Sequence, residues 1–367
     1  MKTKQGIIIS SEGLRLAFVE ASKVKPSKDL SITESYLIEC KKNKCWLVRT
    51  NLEDTIKIEL NCEWNFEGSF LIDPDIATLF NKIDEQPISI HIHAEYPTKV
   101  YLIGDDFETS FETDHPDDFP ITVKGEFREI GGLRYNAFRE TLGKLSPFLC
   151  KDPLKLAMAG YCIDDEQIAA TDGHRLRWIK SPGIDCTAPK AGMEAFQPAN
   201  ELVIRNILPY LRKKAMKEDW IQFSRTDDIL KIESFGRIIY TTLIDKPYPT
   251  YRNVIPMDFN TTIEIENKVL SKVLEQSLIF ANKITSQIML TINSILTVRS
   301  EDLGFREFQR DIPLISKEGD DVKIGINGRL ALECLKHLPA DVKIDIQGPN
   351  RAIVMNDELL LMTININ

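Results

Sequence analysis

Two closely spaced pairs of residues combine types and spacing that could do acid–base or metal chemistry. Asp172 and His174 flank a glycine, and a carboxylate so close to an imidazole could act as an acid–base pair or share a metal ion. His91 and His93 would leave the same face of a strand, as a pair of metal ligands must. Neither pair has an identifiable third ligand, so we expect a turn at Asp172, a partly exposed His174 and a solvent-facing strand at His91. No catalytic residue, metal or cofactor is predicted.

Two other kinds of motif bear on function. The run Arg212-Lys213-Lys214-Ala215-Met216-Lys217 is either a nucleic-acid or localisation patch, or the solvated end of a helix. The sequence has no phosphate-binding loop, no dinucleotide fingerprint and no nucleophile elbow. We therefore expect that the chain does not hydrolyse ATP.

The elements around these motifs follow a plan that occurs three times. Each copy has a short amphipathic helix, a break and an alternating strand, and a second helix opens each copy. The helix and strand pairs are 72–83 with 87–92, 204–214 with 220–223, and 326–338 with 342–346. The opening helices are 10–25, 133–149 and 267–286, the last with Asn267 as N-cap, and the strand-rich stretches are 35–60, 161–179 and 287–315. The sequence thus predicts an α+β fold with two helices and about eight strands per repeat.

The length of 367 residues also favours several domains, because a single core stops growing at roughly 250–300 residues. Proline-rich stretches that resemble each other end the first two repeats, and the linkers are predicted near 121–130 and 252–260. The predicted domains are 1–122, 128–252 and 258–367.

Charge is distributed unevenly along the chain. The formal net charge is −9, which by itself argues against nucleic acid, yet the predicted helices together are basic and the remainder is strongly acidic. If the helices share one surface, that surface attracts phosphates without reading sequence. The alternative is that helices simply collect lysine and arginine, which are good helix formers. The residues predicted to face DNA are Lys23, Lys25, Arg134, Arg139, Lys144, Arg205, Arg212, Lys213, Lys214, Lys217, Lys268 and Lys272.

The cysteines and the apolar runs of the sequence predict the cellular compartment of the protein. The seven cysteines form no Cys-x-x-Cys pair and are expected to be buried or free thiols. No run reaches the roughly 18 apolar residues of a membrane span, and the apolar start at 7–9 is too short for a signal peptide. We expect a cytoplasmic protein without membrane contact.

Four stretches carry a resemblance to a known family. The string Ala170-Thr171-Asp172-Gly173-His174-Arg175-Leu176 resembles the second-domain hairpin of the bacterial DNA polymerase III beta subunit, the sliding clamp. Three later stretches also resemble the family, in the family's order. They are 248–256 at its junction between the second and third domains, 324–327 at the start of its last helix and 359–366 at its C-terminal strand. The resemblance covers about 130–367 and is faint in the first domain.

The resemblance implies a DNA-clamp fold of three similar domains, with two subunits closing head-to-tail into a six-domain ring around duplex DNA. It also implies a cleft that binds short linear peptides of polymerase and clamp loader. Matched residue by residue, the cleft would use Met158, Thr171, Gly173, His174, Arg175, Leu176, Pro249, Asn253, Val254, Asn327, Leu330, Leu361, Met362, Thr363 and Ile364. Arg175 is expected to bind polar atoms of the peptide. The homodimer interface would use Phe107, Thr109, Ile279 and Phe280.

Two other hypotheses remain open at this point. A clamp-derived adaptor would keep the peptide cleft without encircling DNA, which the weak resemblance of the first domain motivates. A metal-dependent hydrolase would use Asp172 and His174, with His91 and His93 as further ligands.

Overall fold

A computed structural model describes residues 5–93, 96–121, 123, 125–181, 201–213, 219–302, 304 and 306–365. The chain divides into two compact units. Unit 1 comprises Met1–Arg139, Pro182–Asn200 and Ile204–Ile244, and unit 2 comprises Glu140–Ser181, Glu201–Val203 and Asp245–Asn367. Within the described residues the fold is mixed α+β, as predicted, with five α-helices and 27 strands, numbered in chain order below.

Unit 1 is built on two sheets, here called sheets A and B. In spatial order, sheet A consists of β5 (Glu63–Trp64), β1 (Gln5–Ser10), β7 (Pro87–Ile92), β8 (Lys99–Ile103) and β9 (Glu108–Glu112). Sheet B consists of β10 (Arg128–Arg134), β15 (Trp220–Arg225), β16 (Ile229–Ser234), β17 (Arg237–Thr242), β4 (Asp54–Leu60), β3 (Lys44–Thr50), β2 (Tyr36–Lys41) and β6 (Gly68–Ile72). Sheet B is continuous because β17 pairs with β4, with Arg237 opposite Ile58.

The helices of unit 1 begin at recognisable signals. Helix α1 (Ser11–Ala21) is capped by Ser10, whose hydroxyl accepts a hydrogen bond of 3.0 Å from the Gly13 amide. It buries Leu14 and Phe18 at helical spacing. Helix α2 (Pro74–Leu79) has proline at its first turn and is shorter than the predicted 72–83.

Helix α3 (Tyr135–Leu145) lies within the predicted span 133–149. Tyr135, Phe138, Leu142 and Leu145 are all buried and form its apolar stripe. The 3₁₀ helix Ser146–Phe148 continues the turn beyond it.

Unit 2 is also built on two sheets, here called sheets C and D. Sheet C consists, in spatial order, of β14 (Leu202–Ile204), β11 (Tyr161–Ile163), β12 (Gln167–Thr171), β13 (Arg175–Lys180), β26 (Leu359–Leu361), β25 (Ile353–Met355), β24 (Asp341–Ile346), β18 (Thr261–Glu266) and β22 (Ser316–Gly319). Sheet D consists of β21 (Arg306–Ile312), β20 (Leu296–Asp302), β19 (Gln287–Ile292), β23 (Val322–Asn327) and β27 (Thr363–Ile364).

Unit 2 carries helices α4 (Asn267–Leu278) and α5 (Gly328–Leu335). The prediction that Asn267 caps α4 is wrong by one position, because Glu266 is the N-cap and its side chain makes no capping bond. The side-chain amide of Asn267 instead donates to the carbonyls of Leu335 and Pro339, at 2.9 and 2.8 Å. These bonds link the start of α4 to the end of α5.

The helix predicted over 204–214 is wrong in the described part of that segment. Strand β14 ends at Ile204, and the 3₁₀ helix Leu208–Tyr210 follows it. Val203 and Ile204 are β-branched and favour the strand, and Pro209 cannot donate the hydrogen bond that a helix interior requires. The predicted DNA-facing residues Arg205, Arg212 and Lys213 are therefore not on an α-helix, and Lys214 and Lys217 lie outside the described residues.

The described cysteines Cys40, Cys45, Cys62, Cys150, Cys162 and Cys334 are free thiols, and Cys186 lies outside the described part of the chain. Cys40 and Cys45 face each other across the β2–β3 hairpin, with their Sγ atoms 2.9 Å apart. None of the helices in the described ranges is long and apolar enough to cross a membrane.

Candidate functional site

The turn between β12 and β13 is formed by two side chains. Asp172 Oδ1 accepts hydrogen bonds of 2.8 Å from the amides of His174 and Arg175. Thr171 Oγ1 accepts from the Gly173 amide at 3.0 Å and donates to the Arg175 carbonyl at 2.7 Å. Gly173 has a φ of +89°, a left-handed conformation that glycine adopts without steric cost. Asp172 therefore shapes the turn, as predicted, and His174 is exposed.

Arg175 is buried beneath this turn, with 7% of its surface exposed. Its guanidinium donates to Asp172 Oδ2 at 2.7 and 2.9 Å and to Glu333 Oε2 at 2.6 Å, and lies 5.3 Å from the Phe148 ring centroid. Burial by itself would lower the pKa of Arg175, but the hydrogen bonds and charge of Asp172 outweigh it and raise that pKa. Because these donors are used inside unit 2, Arg175 positions the turn, and its binding to polar atoms of a peptide stays a prediction.

Strand pairing brings the C-terminal segment to the same turn. In β13 and β26, Arg175 lies opposite Leu361, and the Met362 amide donates to the His174 carbonyl at 2.9 Å. Strand β27 then pairs with β23, whose last residue is Asn327. Asn327 Oδ1 caps α5 by accepting from the amides of Arg329 and Leu330, at 3.0 and 3.1 Å. The turn, the C-terminal strands and the start of α5 are therefore linked within unit 2.

The apolar residues predicted for the cleft differ in exposure. Leu176 and Leu361 are buried, with 2% and 0% of their surface exposed, so they belong to the core under the site and are not free walls. Met362 and Val254 are 39% and 51% exposed, and Met158, Leu330 and Ile364 are half-buried. The Met158 sulfur lies 4.0 Å from the position that a Cβ at Gly173 would occupy. These five residues can supply apolar surface to a ligand.

The segment 248–254 is fastened to the β11–β12 hairpin. The Tyr248 hydroxyl accepts a hydrogen bond of 3.1 Å from the Thr171 amide, and Arg252 pairs with Asp164 at 2.8 Å. Pro249 is exposed, and so are Asn253 and Val254 on the 3₁₀ helix Tyr251–Val254. Tyr248, Phe148 and Glu333 were missed by the sequence analysis, because their roles depend on partners far away in the chain.

The basic residues predicted to face DNA differ in their contacts and exposure. Lys23, Lys144 and Arg205 pair with Glu20, Glu140 and Glu53, at 2.7 to 2.8 Å. Arg134 lies over the Trp220 ring, with Cζ 5.6 Å from the centroid, and Arg139 is half-buried. Arg134 and Lys144 are exposed, as are the remaining described members, Lys25, Arg212, Lys213, Lys268 and Lys272.

The predicted interface residues lie at two separate places. In unit 1, Phe107 and Thr109 line a cavity of about 620 Å³ beside α2, together with the acidic residues Asp75, Asp84, Asp106 and Glu108. In unit 2, Ile279 follows α4 and is 60% exposed, and Phe280 stacks on Phe308 at a centroid distance of 5.6 Å.

The metal-site alternative depended on ligands that could gather around Asp172 or His91. Within the described ranges, no group of three or more His, Cys, Asp or Glu side chains is arranged to hold a metal ion. The Asp172 carboxylate accepts hydrogen bonds from the turn and from Arg175. The ring of His93 packs on that of Tyr96, with the centroids 5.0 Å apart.

Comparison with known proteins agrees with this architecture. No protein-family profile matches the chain. It is 20% identical over 285 residues to the beta sliding clamp of Halalkalibacterium halodurans, which is 75% of this chain and 73% of that protein. It is 25% identical over 203 residues to the beta sliding clamp of Synechocystis, covering 52% of this chain and 51% of that one.

Solved structures match over the whole chain. The DNA polymerase sliding clamp of Bacillus subtilis has a TM-score of 0.84 at 15% identity and covers 100% of both chains. A DNA polymerase III beta subunit from Eubacterium rectale has a TM-score of 0.84 at 17% identity, covering 99% of this chain and 100% of that one. The chain therefore has the DNA-clamp fold, and its resemblance to the bacterial DNA polymerase III beta subunit family is confirmed.

Proposed function

We propose that this protein is a DNA sliding clamp, a non-catalytic processivity factor that encircles duplex DNA in the cytoplasm and tethers a replicative polymerase. The observation that carries the proposal is the match in fold over the entire chain, with a TM-score of 0.84 to a sliding clamp that it covers completely. In this proposal each copy contributes three clamp domains, 1–122, 128–252 and 258–367, and two copies close the ring.

Two features of the separate units support a head-to-tail homodimer. Strands β9 and β21 are the last strands of sheets A and D, and an unpaired edge strand readily pairs with another chain. The charges of β21 balance, because Arg306 and Arg310 are accompanied by Glu307 and Asp311, so the second feature is apolar surface: Ile279 is 60% exposed in unit 2 and Phe107 is half-buried in unit 1. We propose that β9 of one copy adds to β21 of the other, with Ile279 and Phe280 packing near Phe107 and Thr109.

The test of ring closure is topological. A closed ring loaded by a clamp loader should stay on nicked circular DNA and slide off once that DNA is linearised, because no tight contact holds it. Equal retention on both forms would contradict encirclement. Ile279→Asp should give a monomer by analytical ultracentrifugation and abolish retention, whereas the control Ile295→Asp, at a 40% exposed residue in the turn between β19 and β20, should leave both unchanged.

The exposed cations support sequence-independent binding to DNA. Lys25, Lys268 and Lys272 are exposed and have no ion-pair partner among the described residues, so they are available to phosphates. Such contacts hold the backbone and carry no sequence information. Retention should therefore be the same on circles of different sequence.

We further propose that the surface formed by Met158, Val254, Leu330, Met362 and Ile364 binds short peptides of polymerase and clamp loader. A Pseudomonas aeruginosa clamp of similar fold was solved bound to griselimycin, with a TM-score of 0.83 at 15% identity, covering 99% of this chain and 100% of that one. Griselimycin is therefore a suitable probe for titration calorimetry.

We expect the protein to bind griselimycin and Leu330→Asp to bind it at least tenfold more weakly, because a carboxylate would be desolvated against the ligand. Ile315→Asp, which changes a 54% exposed residue of unit 2, is the matched control. Absence of binding by the unmodified protein would refute a functional cleft. A monomer that binds griselimycin but is not retained on circles would favour the clamp-derived adaptor.

A further inference from the structure

One end of sheet B in unit 1 contains a cavity of about 960 Å³ that none of the roles above uses. One wall comes from β3, with Lys44 and Trp46, and the other from β10 and β15, with Arg134 and Trp220. The turn between β16 and β17 forms the floor. The volume is at the upper end of the roughly 300–1,000 Å³ of ordinary ligand sites.

Each wall presents an indole under a cation. Lys44 Nζ lies 5.2 Å from the Trp46 ring centroid, and Arg134 Cζ lies 5.6 Å from that of Trp220. Both tryptophans are half-buried and keep part of their surface accessible. Tryptophan and arginine are the residue types that most often dominate binding energy at protein interfaces. Two of the four tryptophans of the chain line this one cavity.

The floor holds an aromatic residue in an uncommon conformation. Phe235 has a φ of +45°, in the left-handed region that bulky residues rarely adopt, and it is 39% exposed. Its ring packs edge-on against Tyr135, at a centroid distance of 5.7 Å. Phe235 and Gly236, both at positive φ, are the two loop residues of the β16–β17 hairpin, and this turn leaves the Phe235 ring partly exposed at its tip.

Charge pairing within the cavity leaves one cation available. Lys44 pairs with Glu59 at 3.0 Å, and Arg237 pairs with Glu20 at 2.7 Å. Glu233 pairs with Lys231 at 2.6 Å, and Asp219, the third carboxylate of the lining, also has an interaction partner. Across the described residues Arg134 has no carboxylate partner, although its guanidinium is exposed beside the indole. The cavity therefore complements a ligand that has apolar side chains and one carboxylate.

We propose that this cavity is a second docking site, for a short acidic and apolar peptide segment of a partner protein. Trp46, Trp220 and Phe235 would take the apolar side chains, and Arg134 would take the carboxylate. The site lies in unit 1, whereas the proposed griselimycin-binding surface lies in unit 2, so the inference goes beyond the clamp function. It also gives Arg134 a different role from the DNA contact predicted from sequence.

The test starts with the full-length protein and a displayed library of random nonamer peptides. Selected peptides are synthesised and titrated by calorimetry against the unmodified protein, Arg134→Gln, Trp220→Ala and Leu330→Asp. We expect a class of peptides with acidic and apolar residues that binds at least tenfold more weakly to Arg134→Gln and Trp220→Ala. Its affinity for Leu330→Asp should be unchanged.

Two controls keep the result interpretable. Trp220→Phe should retain most of the affinity, and Arg134→Lys should retain part of it, which separates loss of a contact from loss of folding. A selection that returns no peptide, or only peptides that Leu330→Asp weakens, would overturn the proposal. So would an Arg134→Gln variant that loses retention on circular DNA while its peptide affinity is unchanged. Because the peptide titration uses no DNA, its failure is distinct from a failure of ring closure.

Discussion

Asp172 shows how a residue that could do chemistry can be occupied by structure. One carboxylate oxygen accepts two backbone amides of the turn, and the other holds the guanidinium of Arg175. A carboxylate with both oxygens engaged in this way cannot serve as a general base without breaking the turn. Asp172 therefore does not offer His174 a free carboxylate for acid–base chemistry.

Replacement of Asp172 should destabilise the protein because it removes the capping acceptor and the nearest counter-charge of a buried arginine. Asp172→Ala is expected to lower the free energy of unfolding by about 3 kcal/mol. Glu333→Ala, which removes the half-exposed partner of the same arginine, should cost about 1 kcal/mol or less. Urea unfolding followed by tryptophan fluorescence measures both. Equal effects of the two substitutions would contradict the assignment.

The sequence predicted the turn at Asp172 because its cause is local, an aspartate followed by glycine. It did not predict the burial of Arg175, whose partners Phe148 and Glu333 are distant in the chain. The burial of Leu176 and Leu361 was missed for the same reason. Both residues are recognisably apolar in the sequence, but only the pairing of β13 with β26 decides which apolar side chains are covered.

At the scale of elements, the strands were the most predictable. The alternating segment 87–92 is strand β7 over the same residues, and 342–346 is β24 but for one residue at its start. The helix predicted over 204–214 failed although its apolar spacing was helical. Periodicity does not register that Pro209 lacks a donor, or that Val203 and Ile204 lie in a strand of sheet C.

Helix α5 depends on a cap that can be tested separately from its packing. Asn327→Ala removes the acceptor for two amides and should cost about 1 kcal/mol of unfolding free energy. Asn327→Asp keeps that acceptor and should recover most of the stability. It loses only the bond that the side-chain amide of Asn327 donates to the Thr285 carbonyl. Thermal melts of the three proteins check the order, and an aspartate variant no more stable than the alanine variant would refute the cap.

At the scale of the whole molecule, buried acids make the protein sensitive to alkali. Burial raises the pKa of the phenols Tyr161 and Tyr248, and it raises the pKa of the Cys334 thiol to about 12. In an unfolded chain these groups ionise at about 10 for tyrosine and about 8.5 for cysteine. Above those values the folded state binds more protons than the unfolded state, so stability falls as pH rises.

The unfolding free energy should therefore decrease steadily between about pH 9 and pH 12. Tyrosinate absorbance near 295 nm should rise in two phases, the exposed phenols first and the buried ones together with the loss of helical circular dichroism. A single titration near pH 10 with the secondary structure intact would contradict the burial of these phenols.

The pairing of β4 with β17 also sets an order of events during synthesis. Strand β4 is complete at Leu60, but the strand that covers its edge begins only at Arg237, about 180 residues later. At translation rates of roughly 5–20 residues per second, that edge stays open for roughly 10–40 s. An open edge can pair with the same edge of a neighbouring nascent chain, so crowded ribosomes on one message are where this fold is most exposed to misassembly.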